Sequence, residues 1–439
     1  MKKYIIAITV LAFSFSFAQE KKWSLQECVN YALENNISIK QSILTSQSNE
    51  QDIISAKGQK LPSATGSIGH TLSIGNRELF PGQFVDRTDN STFFSVGFNQ
   101  TIFNGFRNTN LYKQSKLNLE ASNLELARIK DDISLNVVNS YLNILFNKEN
   151  LAVAQSQYSF SKKQLEQVKE LVDAGVQPRG NLLDIEATLA NDEQRVIAAE
   201  NSLALAKLTL SQLLQLPATG FDVRTVEVGS PTEELLYDNS SSIYNVAVEN
   251  RYEIKSAEKN IEVAKLGTQI SKSGYYPTLT AGYNYGTNLF YSNLIDNEAS
   301  FFDQLNNQKS HRFNVNLSIP IFSRFQNKTS VAKSKIQEEN ALLNLEQTKL
   351  TLQSNIERAF TDARAALKTY SASQKSLASQ KLAFENAQER YNIGAMNSFD
   401  LDQARNRLVN AEASLINAKY DFVFKTKVLD FYAGKSLIE

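Results

Sequence analysis

The sequence predicts a mixed α/β chain built twice over, in which long helical hairpins alternate with β-hairpins suited to a lipid boundary. Three observations predict it. First, Ile321 to Ile393 contains neither glycine nor proline, the residues that most readily break a helix. Apolar or small residues recur there in a heptad seam, through Ile356, Ala359, Ala363, Ala366 and Tyr370, then Leu377, Phe384, Ala387 and Tyr391. Second, Phe106 to Ala174 is a run of the same kind, closed by Gly175 as the later one is by Gly394. Third, sliding the chain on itself by 219 positions superposes Phe94 on Phe313, Val96 on Val315, Phe103 on Phe322, Asn136 on Asn355 and Leu182 on Leu401, while nearer the start a shift of 215 superposes Asn35 on Asn250 and Pro62 on Pro277. Such self-similarity marks a duplicated unit. A helix of roughly 70 residues reaches on the order of 100 Å, so no single compact core covers it and other long helices must flank it.

Composition narrows the function. The formal charge is zero, so nothing attracts nucleic acid or an acidic polymer. Hydrophobic residues make up 42%, and no long apolar run follows the N-terminus, which argues against helical membrane spans. One cysteine, Cys28, and two histidines, His70 and His311, leave no intramolecular disulfide and little material for a metal site or a His-based triad. The histidines fall at strand or loop positions. No catalytic residue, cofactor or metal ligand set is expected.

In chain order, Lys2 and Lys3, the apolar stretch Tyr4 to Phe17 and the small-x-small step Ser16-Phe17-Ala18 read as an export signal over residues 1–18. Ser24 and Glu27 form a capping box, with Trp23 placed as a staple on Cys28, so Cys28 is expected to be a small buried apolar residue rather than a reactive thiol. A short helix to about Asn35 and a second from Ile37 to Lys57 follow. From Leu61 the period changes to two. Ile68 and Leu72, then Phe94, Val96 and Phe98, alternate with Ser, Thr, Gly and Asn, on either side of a turn-rich loop expected from Gly75 to Asn90. In the second copy Leu279, Ala281, Tyr283 and Tyr285, then Phe313, Val315, Leu317, Ile319 and Ile321, do the same. Each pair reads as a hairpin of strands about ten residues long. Between the copies Phe221 to Val228 alternates briefly, as an edge strand would.

Two surroundings suit such strands. The apolar face of a soluble sandwich would meet a second sheet. That of a membrane barrel would meet lipid while Asn, Thr, Ser and Gly line water, and strands of about 9–11 residues are long enough to cross. Tyr275, Tyr276, Tyr283 and Tyr285 suit an interfacial belt. Four strands cannot close a barrel, which requires about eight or more, so the chain would have to oligomerise.

Leader, capped helix, rising helix, hairpin, very long helix, Gly-marked tip and returning helix, given twice, resemble the TolC-like outer-membrane efflux proteins over the whole mature chain. The carriers are Ser24-Leu25-Gln26-Glu27-Cys28-Val29-Asn30-Tyr31-Ala32-Leu33-Glu34-Asn35-Asn36, the strands led by Pro62 and Pro277, and Arg390-Tyr391-Asn392-Ile393-Gly394. The organisation is then a signal at 1–18; a first repeat at 19–216, with hairpin 61–103, long helix 106–174, tip 175–180 and return helix 181–216; a linker at 217–241; and a second repeat at 242–439, with hairpin 276–322, long helix 323–393, tip 394–397 and return helix 398–431.

The resemblance implies a homotrimer in the outer membrane. It would contribute four strands per subunit to a twelve-stranded β-barrel, continued in the periplasm by an α-barrel tunnel. It implies a passive exit duct for efflux or type I secretion, joined by a periplasmic membrane-fusion adaptor to an inner-membrane pump of RND, ABC or other type. Phe94, Val96, Phe98, Leu279, Tyr283, Phe313, Val315 and Leu317 would face lipid. Adaptor docking would fall on Ala174, Gly175 and Val176 and on Ile393, Gly394 and Ala395, although a tip glycine also serves simply to end a helix.

At the entrance Tyr391 keeps the family's position. Met396 replaces an Arg, and Gly180 and Asn181 stand where a Thr-Asp pair would be, so if the pore closes it is expected to do so by packing around Met396 and Tyr391 rather than by a salt-bridged gate. Asp400 matches one acidic ring position and Gln403 occupies the other. Asp400 is either a cation-attracting ring or a first-turn acid favoured by the helix dipole. A soluble periplasmic coiled-coil tether with a β cap is the alternative architecture.

Overall fold

The computed structural model describes residues 21–226, 237–295 and 299–435, so the leader at 1–18 and the last positions of the segment 221–228 lie outside the described residues. The described chain runs β1 (Lys22–Trp23), α1 (Leu25–Asn35), α2 (Ile37–Gly58), β2 (Ser63–Phe80), β3 (Gln83–Asn104), α3 (Arg107–Asp173), α4 (Arg179–Leu214) and β4 (Asp222–Val223). It continues through α5 (Ser240–Asn250), α6 (Tyr252–Lys272), β5 (Thr278–Ser292), α7 (Phe301–Asn307), β6 (Ser310–Ser318), α8 (Gln326–Asn392) and α9 (Ser398–Tyr432).

The internal repeat is kept to the residue. A shift of 219 carries both ends of α3, 67 residues long, onto those of α8, also 67, and the start of α4 onto that of α9. A shift of 215 carries α1 onto α5 and the start of β2 onto that of β5.

The chain divides into two compact units. The first gathers residues up to Ile43, Leu124–Lys255 and the chain from Gln347 onward. Its packing begins at Ser24, whose hydroxyl accepts the Glu27 N–H while the Glu27 carboxylate accepts the Ser24 N–H at 2.8 Å, completing the capping box. That start aims Cys28, Val29 and Ala32 into a core with Val137, Tyr141 and Ile144 of α3 and Leu210 and Leu214 of α4. Trp23 packs on the edge of this core and meets Tyr31 edge to face at 5.2 Å. Cys28 is fully buried and its thiol is pushed up to about 12, chiefly by desolvation.

The expected strand from Phe221 shrinks to Asp222–Val223, paired in parallel with Lys22–Trp23. The Tyr141 hydroxyl takes the Arg224 carbonyl at 2.6 Å, and Lys148 and Lys207 hold Asp222 at 2.8 and 3.0 Å. Two strand residues suffice because side chains satisfy the rest. Along the helical hairpins the seam is dry where small and aromatic residues interdigitate. Ala366 and Tyr370 of α8 meet Ala418 and Phe422 of α9, the two rings stacked at 6.3 Å.

The second unit, Leu44–Asn123 with Ser256–Glu346, holds a four-stranded antiparallel sheet in the order β2-β3-β5-β6. Its strands depart from the uniform ten residues expected: they have 18, 22, 15 and 9. The loop expected over Gly75–Asn90 is strand almost throughout, turning at Pro81-Gly82 with Gly82 at φ +85°. Cross-strand pairing overrides the turn propensity of Asn76, Asp86 and Asn90, which pair with Asp86, Asn76 and Leu72. β6 stops at Ser318 rather than running to Ile321. Pro320, which cannot donate to a ladder, stands just beyond it.

Candidate functional site

The sheet sorts its side chains by register. Directly paired residues share a face. One row joins Ala64, Phe98, Tyr283 and Phe313; the next joins Gly66, Val96, Tyr285 and His311; another joins Ile68, Phe94 and Thr287. Ala281 pairs with Val315 and Leu279 with Leu317, in the same face. All eight apolar strand positions singled out by the sequence therefore lie on one side, where Phe313, Val315 and Leu317 are 78%, 74% and 57% exposed. The opposite face carries Gly97, Asn284 and Arg312 in one row and Asn99, Gly282 and Asn314 in the next.

Gly282 lets those two amides close in, since a Cβ there would stand 2.7 Å from Asn314 Oδ1 and 2.9 Å from Asn99 Oδ1. Phe93 interrupts this polar face by lying over Gly69, whose added Cβ would clash with its ring. An aromatic laid over a strand glycine covers otherwise bare backbone. His70 and His311 both sit on the apolar face and bond to Thr92 and Tyr283 at 2.8 and 2.9 Å. Among the described residues, neither outer edge, β2 or β6, has a partner strand, and both strands are exposed.

In the other unit, α3 and α8 each end in a glycine turn. Gly175 at φ +72° and Gly394 at φ +76° are in the left-handed region. Val176 N–H returns to the Leu171 carbonyl and Gly175 N–H to Val172, both at 2.9 Å; Ala395 returns to Arg390 at 2.8 Å and Gly394 to Tyr391 at 3.0 Å. This double bond pattern recovers carbonyls that a helix end leaves bare. Nothing approaches the place of a Cβ at either glycine, so conformation and not crowding requires it. Val176 and Ile393 project outward, 69% and 80% exposed, beside exposed Ala174 and Ala395.

Of the entrance residues, the structure links Asn181 and Tyr391 through one the sequence did not single out. Gln177 Nε2 reaches the Tyr391 hydroxyl at 3.5 Å and its Oε1 accepts from Asn181 at 3.4 Å. Met396 is half-buried, Gly180 exposed. Asp400 is exposed in the first turn of α9, its N–H held by the Asn397 cap at 2.8 Å, and Gln403 accepts from Arg407 at 2.7 Å.

Deeper along the same helices is a buried ionic cluster that sequence reasoning missed. Asp192 of α4 and Arg405 of α9, 2% and 3% exposed, pair at 3.3 Å, and Ser161 of α3 bonds to both. The cluster fastens the first helical hairpin to the second. A signal existed: the duplicate of Asp192 is Ala411, and that of Arg405 is Glu186, so the two copies disagree at seam positions. Beside it, burial raises the Asp402 carboxyl above the usual range; Arg405 opposes this, and Asp184 and Asp192 add to it.

Comparison with known proteins adds the family context. The sequence model of the family described as "Outer membrane efflux protein" matches residues 28–215 and 243–434, one stretch in each repeat. The chain is 22% identical to the outer membrane protein TolC of Vibrio cholerae, over 91% of this chain and 88% of that one. It is 22% identical to the cation efflux system protein CusC of Escherichia coli K12, over 89% and 82%. A crystal structure of CusC superposes with a TM-score of 0.80 at 18% identity, covering 96% of each chain. The Campylobacter jejuni CmeC outer membrane channel gives 0.80 at 19%, covering 94% of this chain and 87% of that one. These superpositions show a shared fold.

Proposed function

Because this chain belongs to the outer membrane efflux protein family, we propose that three copies close their open sheet edges on one another to form the membrane part of an exit duct. The protein is an outer-membrane channel of an efflux or secretion system, extended into the periplasm by its helical hairpins. The alternative of a soluble tether with a β cap does not fit that membership.

The observation that carries the duct is the sorted sheet: an apolar, aromatic face, a polar face with Asn99, Asn284, Arg312 and Asn314, and two edges without partners. Lipid suits the first face, water the second, and neighbouring copies the edges. The glycine tips offer exposed backbone and the apolar side chains Val176 and Ile393, which supports their reading as the docking point for a periplasmic adaptor coupled to an inner-membrane pump. At the entrance, Tyr391, Gln177 and Asn181 form a neutral polar contact, while Asp400 supplies a ring of charge when three copies surround an axis.

Washing outer membranes with carbonate tests the duct. The protein is expected to stay in the pellet and to yield ion conductance when purified into planar bilayers. Release into the supernatant would end this reading.

A further inference from the structure

We propose that helix α7 of each copy covers the outer edge of the neighbouring copy's β2, completing a collar above the barrel. The inference rests on the barrel reading above, and it starts from an inequality. The two edges that must meet differ in length: β2 offers 18 residues and β6 nine. Nine strand residues can satisfy at most nine, so half of β2 keeps a free edge after the copies join.

The surplus lies toward the hairpin turn. Ser310, the first residue of β6, shares a row with Gly286, Ser95 and Ser67, whereas β2 continues to Phe80. A bare edge of that length recruits stray strands unless something covers it.

α7 stands at the right place. It leads through Gln308 and Lys309 into β6, the strand that makes the joint, and it packs on the portion of β5 that outruns β6. Gln304, almost wholly buried, accepts the Phe290 N–H at 2.8 Å, and Thr287 donates to the Leu305 carbonyl at 2.9 Å. The helix thus occupies the β6 side of the sheet at the level where β6 is missing.

Its exposed surface begins with an aromatic pair: Phe301 and Phe302 meet edge to face at 5.3 Å, and Phe302 is 78% exposed. The surplus of β2 answers with Leu72 and Ile74 at alternate positions on one face, 53% and 75% exposed, ahead of the bulge between Glu78 and Phe80. A second copy of this chain is the occupant, because the joint that closes the barrel brings these two surfaces to the same seam. Burying aromatic against aliphatic surface there removes both from water.

Two full-length chains with different affinity tags, one carrying Phe302→Cys and the other Ile74→Cys, test this by co-expression and oxidation in outer membranes. Cys28 is fully buried and gives little background. The expected result is a disulfide-linked pair bearing both tags, several-fold above either variant alone. Tags that co-purify as one native oligomer, yet give no disulfide from position 302 to 72 or 74, would overturn the collar and leave the barrel standing. Tags that never co-purify would remove the barrel and the collar together. As a second variant, Phe302→Asp is expected to lower the temperature at which the oligomer dissociates on semi-native gels; an unchanged temperature would count against the contact.

Discussion

At the scale of single residues, the buried pair between Asp192 and Arg405 is the most consequential contact outside the sheet. Both groups are out of water, so removing Asp192 strands the Arg405 charge at a cost of about 3–5 kcal/mol, while removing Arg405 leaves Asp192 only the half-exposed Arg195 at 3.5 Å. Arg405→Met and Asp192→Leu are each expected to lower the urea midpoint, while the double variant recovers most of the loss. A double variant no better than the sum of the two would show that they do not act as a pair.

Asp402 has the opposite sign. Its carboxyl is raised in the folded protein, chiefly by burial, so the native state holds the proton more tightly than the unfolded chain. Its contribution to stability is therefore fully present at low pH. It declines as pH climbs from the ordinary carboxylate range through the raised value. Asp402→Asn is expected to remove that decline, read as a flatter plot of melting temperature against pH. The helical period did not reveal these three, because heptad stepping identifies seam positions without saying which charges are paired across them; only the mismatch between the two copies at 192 and 405 marked the pair.

At the scale of elements, each tip couples a glycine conformation to a presented surface. Proline holds φ near −65°, whereas Gly394 sits at +76°, so Gly394→Pro must rebuild the turn. Export is expected to fall while the oligomer forms at wild-type yield. Loss of the oligomer would show that the turn matters only for assembly.

Helix and tip positions were readable because glycine and proline punctuate a long uninterrupted period. The hairpin between β2 and β3 was not. Its Asn, Asp, Gly and Pro residues signal loop locally, yet Ser73 to Glu78 pair residue for residue with Asp89 to Phe84. The ladder outweighs those preferences because a strand's fit is set by its neighbours.

For the whole molecule, the sorted sheet predicts which substitutions the assembly tolerates. Val315→Arg or Leu317→Arg places a cation on the apolar face and is expected to cost about 2–4 kcal/mol near mid-bilayer, seen as loss of the assembled oligomer. Asn316→Arg, one residue away on the polar face, should assemble normally. Equal tolerance on both faces would mean that the apolar side does not meet lipid.

Sequence alone determined the duplication, the alternation of the strands and the glycine-marked helix ends, because each is a periodicity or a conformational demand carried by neighbouring residues. Only the tertiary structure decided the unequal strand lengths, the link through Gln177 and the ionic cluster of Ser161, Asp192 and Arg405. These depend on which residues, distant in the chain, stand within bonding reach, and no local pattern encodes that distance.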